Sequence, residues 1–183
     1  MKVRARAVWL REVRNLFGAG TDGAGVHAAE TGWMTTMKTQ RFPVDVRWTG
    51  GQLTRVSASG KPELTVATPP EFRGGIEGVW SPEDLLVGSV ASCYAVTLAA
   101  IAERRGLPLR TLEVRGAGDV TRRLDGRFCF TVVELEVILE TDPGHEAEAR
   151  FAAEAAEQAC LVATSLDTPV HVEVDVRSAP ATA

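Results

Sequence analysis

The sequence predicts an α+β fold, and three observations carry that expectation. Strand-like and helix-like segments follow one another in the order β-β-β-α-β-β-α-β, joined mostly by hairpin-length turns, which argues against a doubly wound parallel sheet. The stretch from Leu85 to Ile101 has no charged residue and is apolar or small on every side, so it predicts a helix in the middle of the fold. A chain of 183 residues with 45% hydrophobic content is long enough for a single domain with a sizeable core.

Taken in order, residues 1–33 differ from the rest and predict a dispensable N-terminal extension. Met1 to Phe17 is basic, with Glu12 as its single acid, and Trp9, Leu10, Val13, Leu16 and Phe17 recur at helical spacing. Gly18 to Gly25 holds four glycines and reads as a linker, with Met34 and Met37 as alternative starts beyond it. Phe42–Trp48, Leu53–Val56 and Glu63–Ala67 predict a small antiparallel meander, turning at Thr49-Gly50-Gly51 and at Ser57-Ala58-Ser59-Gly60. A loop follows, with Arg73 between Phe72 and a pair of glycines.

The central helix has both of its stops written into it. Ser81 suits the N-cap, Pro82 the first helical position, and Asp84 the capping-box partner. Arg104 and Arg105 suit the last turn, and Gly106 ends the helix. Leu112–Asp119 and Phe128–Leu139 predict strands around a charged hairpin at 122–126, with Cys129 a packing residue among aromatics. A second long helix is expected from Glu146 to about Ser165, with an apolar stripe of Phe151, Ala152, Ala155, Ala159, Leu161 and Val162. Pro169–Arg177 alternates strictly and closes the chain as a strand, with His171 on its solvated face.

Composition narrows the function classes. A net charge of −4 supplies no bulk attraction to nucleic acid or to an anionic membrane surface, so neither is an expected partner. No apolar run is expected to reach the roughly 20 residues of a membrane span, since Ser, Thr and Gly interrupt the central helix. Three cysteines without paired spacing argue against a secreted disulfide framework and for a reducing, cytoplasmic setting. His27, His145 and His171 are scattered, so no metal is expected.

Cys93 and Cys160, one on each helix, are candidates for a redox pair. Peroxide reduction needs a thiolate to attack the O–O bond and a second thiol to capture the resulting sulfenic acid as a disulfide. An arginine would favour the thiolate and hold the developing alkoxide, and a carboxylate would orient it. Arg73 in the loop and Glu83 at the helix start are the charged candidates. On a straight helix Glu83 and Cys93 are about 15 Å apart along the axis, so an arginine must bridge them or helices must pair between subunits. Glu83 also has an ordinary role, as an acid favoured in the first turn.

Ser81-Pro-Glu-Asp-Leu-Leu followed at Cys93 by cysteine resembles the Asn-Pro-Glu-x-Leu…Cys helix of the OsmC/Ohr family of organic hydroperoxide reductases. Gln158-Ala159-Cys160 before a closing strand resembles its second-cysteine segment, and the likeness extends over residues 40–177. It implies an OsmC-like domain over 34–183, with antiparallel sheets wrapped around two long central helices in an intertwined homodimer whose sites lie between subunits. It implies Cys93 as peroxidatic and Cys160 as resolving residue, an organic hydroperoxide substrate, no bound cofactor, and reduction by a dithiol or a lipoylated protein. Arg73, ten positions before Glu83, matches the OsmC-type arginine, with Arg55 a weaker substitute. Gln52 stands where Ohr-type members carry theirs, and Leu161 where the family has proline. Two other readings are a non-catalytic OsmC-like dimer binding a small apolar or electrophilic ligand, and a structural protein with inert thiols.

Overall fold

The computed structural model describes residues 39–180, so the expected extension over 1–33 lies outside the described residues. The chain divides into units Met1–Phe42 and Pro43–Ala183, and the second carries every element that follows. Strands β1 (Asp45–Gly50), β2 (Leu53–Ser57) and β3 (Leu64–Ala67) form the expected antiparallel meander. Its first turn needs glycine, since Gly50 and Gly51 have φ of 120° and 55°. Val46 and Trp48 alternate onto one face of β1 and, like Val44 just before it, stay exposed, Trp48 at 70%.

Helix α1 (Pro82–Arg105) starts and stops where its caps dictate. Ser81 Oγ accepts from Asp84 N at 3.0 Å, and Ser81 N donates to Asp84 Oδ2 at 2.8 Å, closing the capping box. Gly106 ends it with φ of 65°. The expectation that α1 is buried on every side is corrected. Val90, Tyr94, Leu98, Ile101 and Ala102 are buried, while Gly88, Ser92, Val96 and Ala99 line an exposed face. By length and composition α1 is also able to cross a membrane, contrary to the expectation from its Ser, Thr and Gly; small residues dilute an apolar helix too little to disqualify it.

Strands β4 (Leu109–Arg122) and β5 (Phe128–Thr141) pair antiparallel along their whole lengths. Helix α2 (Glu146–Ala159), the single turn α3 (Leu161–Thr164) and strand β6 (Val170–Ser178) complete the chain. β6 pairs with β5 in parallel, so the second sheet is mixed, not antiparallel throughout. The cause is the connection: a helix between two strands carries the chain back to the same end, as a hairpin cannot.

Alternate residues of β5 (Val133, Leu135, Val137, Leu139) are buried together with the inward residues of α1 and with Ala149, Ala152, Ala153 and Ala156 of α2. Each fully buried Val or Leu contributes roughly 1.5–3 kcal/mol. Small residues let the layers close: a Cβ added at Gly118 would stand 2.8 Å from Val87 on α1 and 2.7 Å from Phe130 on β5.

The predicted second helix is corrected in length and in face. It breaks at Cys160, whose φ of −66° and ψ of 106° are extended. Phe151 and Leu161, expected in its apolar stripe, are exposed, Leu161 at 61%. Alanine supplies the buried stripe instead, because α2 lies close against α1. Phe151 packs outward under the Arg105 guanidinium, 4.4 Å from its ring centre.

Candidate functional site

Cys160 and Cys93 meet because of that helix break. Cys160 is 1% exposed, and its thiol lies against α1, 4.0 Å from the Val90 carbonyl oxygen. Its own carbonyl accepts from Thr164 N at 3.0 Å and from Thr164 Oγ1 at 2.9 Å, which holds the break rigid. Cys93, half-buried one turn after Val90, lies near enough to the Cys160 thiol to perturb it. Burial pushes the Cys160 thiol above its ordinary pKa, and Cys93 adds to that, while backbone N–H groups of Ala163 and Val162 pull the other way. All three cysteines are free thiols; Cys129 is half-buried on β5 opposite Thr121.

Tyr94 ties the pair in place. Its hydroxyl donates to Ala153 O at 3.2 Å, pinning α1 to α2 beside Cys160, and burial raises its pKa, with Glu157 and Cys160 adding to the rise. Sequence reasoning passed over this residue. The signal was there: the chain's one tyrosine falls within an apolar helix, where a hydroxyl must find an acceptor.

The charged candidates are arranged differently. Arg73 lies in the loop between β3 and α1, exposed, and among the described residues its guanidinium is in no ion pair. That loop is tightly built. Gln52 Nε2 donates to the Arg73 carbonyl at 2.8 Å, and Ala67 N donates to Trp80 O at 2.9 Å. A Cβ at Gly75 would fall 2.0 Å from the Pro69 carbonyl oxygen, and Phe72 meets Phe128 of β5 edge-to-face at 5.4 Å. Gln52 and Arg73 thus occupy one neighbourhood, although 21 residues apart in sequence.

Glu83 sits in the first turn of α1 with Oε2 buried and unpartnered. α1 runs unbroken past Gly88, so Glu83 does not reach Cys93. No arginine is among the groups that shift Cys160. Arg55, the weaker substitute, is engaged on the meander with Glu63 at 3.2 Å and Thr65 at 3.1 Å. The structure therefore brings the two thiols together and leaves Arg73 and Glu83 apart from each other. Among the described residues no group of three His, Cys, Asp or Glu side chains could hold a metal ion.

The profile of the family described as OsmC-like protein matches residues 75–175. The chain is 26% identical over 144 residues to the uncharacterised protein YmaD of Bacillus subtilis, covering 76% of this chain and 95% of that one. In fold it is similar to an OsmC-like protein of unknown function from Vibrio cholerae, with a TM-score of 0.67 at 17% identity over 75% of this chain and 100% of the other. It is similar also to an organic hydroperoxide resistance protein from Elizabethkingia anophelis, with a TM-score of 0.62 at 19% identity over 79% of this chain and all of that one.

Proposed function

Since this chain belongs to the OsmC-like family, which includes proteins described as organic hydroperoxide resistance proteins, we propose that it is a cysteine-based peroxidase reducing organic hydroperoxides to alcohols. The observation that carries the reading is the approach of two free thiols, Cys93 on α1 and Cys160 at the break between α2 and α3. Cys93 as thiolate attacks one peroxide oxygen, the O–O bond breaks, and the alkoxide leaves as alcohol after taking a proton. Cys93 is then a sulfenic acid. Cys160 attacks its sulfur, water leaves, and a disulfide remains for a dithiol to reduce.

Arg73 and Glu83 are proposed as the pair that favours the Cys93 thiolate and stabilises the alkoxide. A buried acceptor with no donor costs about 1–3 kcal/mol, so the orphaned Glu83 oxygen calls for a guanidinium, that of Arg73 or one from a second subunit. A homodimer fits the same need, because the exposed apolar faces of α1 and β1 await a cover. Free cysteines suit a cytoplasmic setting.

The test is intact-mass analysis after one equivalent of cumene hydroperoxide. Loss of two hydrogens through a Cys93–Cys160 bond is expected, with peroxide consumption abolished in Cys93→Ser and limited to one turnover in Cys160→Ser. Equal turnover in all three proteins would remove the reading. The exposed, unpaired Arg73 side chain favours a second reading, a dimer that binds a small apolar or electrophilic ligand without turnover. Slow alkylation of Cys93 across neutral pH, together with no peroxide consumption, would select it.

A further inference from the structure

A cavity of about 280 Å³ ends on Cys160 from the side of the α3–β6 connection. Buried Tyr94 and Cys160 form its floor, exposed Glu157, Thr164 and Asp167 its mouth, and Cys93 is not part of its lining. The mechanism above makes no use of it. Its volume lies just under the usual range for small-molecule sites, which suits a compact ligand and excludes a folded protein.

We infer that this cavity is the entry for the reductant, and that a small uncharged dithiol attacks the disulfide at the Cys160 sulfur through it. The inference rests on the thiol pair proposed above. Exchange at sulfur requires the incoming thiolate to approach opposite the departing sulfur, and the cavity reaches one sulfur without the other. Attack at Cys160 forms a mixed disulfide and releases Cys93 as a thiolate. The reductant's second thiol then closes its own ring, releasing Cys160. Two electrons pass from the dithiol to the protein, and its two protons end on the thiols or in solvent.

Leaving-group chemistry favours the same order. Attack at Cys93 would have to expel Cys160 first, and burial raises the pKa of that thiol, which slows its departure. Tethering makes the second step different: the ring-closing thiol is already in place, and the Ala163 and Val162 amides face the leaving sulfur. Charge at the mouth adds selectivity. With Glu157 and Asp167 beside the opening, an anionic dithiol is repelled and a neutral one is not.

The test starts from full-length protein oxidised with diamide, so that it is independent of hydroperoxide chemistry. A limiting pulse of 2-mercaptoethanol, quenched with acidic alkylating agent and mapped by peptide mass, should place the adduct on Cys160 and the alkyl group on Cys93. In a second arm, neutral dihydrolipoamide should reduce the disulfide about tenfold faster than anionic dihydrolipoate, which closes the same five-membered ring, at low salt, the low end of electrostatic steering. Glu157→Gln with Asp167→Asn should close that gap. An adduct on Cys93, equal rates for the two dithiols, or no diamide disulfide would each overturn the inference. Should diamide form the disulfide and hydroperoxide fail to, the peroxidase reading falls and this one stands.

Discussion

Cys160 shows how one residue's setting governs its chemistry. Its thiol is held neutral chiefly by burial, so its folded pKa lies above the ordinary value of about 8.5. The stability linked to that preference is present in full below the ordinary value and is lost as pH rises through the folded one. Cys160→Ala should therefore flatten the fall in urea-unfolding stability above about pH 8.5, a limb the wild type retains. An unchanged slope would mean that the thiol is not kept neutral by the fold. Cys93 and Cys160 were legible as candidates because cysteine chemistry is carried by residue type. Their proximity was not, since it depends on an extended residue at 160 that no local propensity announces.

Among elements, the α1–β4 contact depends on glycine. Gly118→Ala would push a methyl group into Val87 and Phe130. The overpacking cost of about 1–3 kcal/mol outweighs the ~0.4–1 kcal/mol entropy gain of replacing glycine. Denaturant unfolding should show a net loss, partly rescued by Val87→Ala. The β5–α2 connection is joined electrostatically to the start of β4. Arg110 donates to Asp142 at 2.6 and 2.9 Å, which holds that carboxyl below its usual range. A lowered folded pKa contributes stability above the ordinary value that is lost as pH falls through the folded one. Arg110→Ala should thus make thermal stability less dependent on pH in the acid range, with little change near pH 2. Capping, turns and alternation made these elements readable in order. The stripe on α2 was read in part: Ala152 is buried as expected, but Phe151 and Leu161 face outward, and Ala149, Ala153 and Ala156 take the seam.

At the scale of the whole chain, large apolar side chains among the described residues lie uncovered. Val96 on α1 is 65% exposed and Trp48 on β1 70%. Exposed apolar side chains on an element face mark an interaction site, and a second copy is the proposed cover. Sedimentation equilibrium should give twice the chain mass of 19.6 kDa, and Val96→Glu should return the monomer. A wild-type monomer at micromolar concentration would overturn the dimer and with it any site shared between subunits.

By itself the sequence determined the element order, the caps of α1, the turn glycines and the pair of cysteines worth watching. These depend on neighbours within a few positions: a hydroxyl three residues from an amide, a glycine with positive φ, alternation along a strand. Tertiary structure alone decided the parallel return of β6, the break at Cys160, the meeting of the thiols, the orphaned Glu83 oxygen and the cavity behind the second sulfur. Each of those depends on which surfaces close on which, and close packing between distant segments is settled by shape and burial across the whole fold.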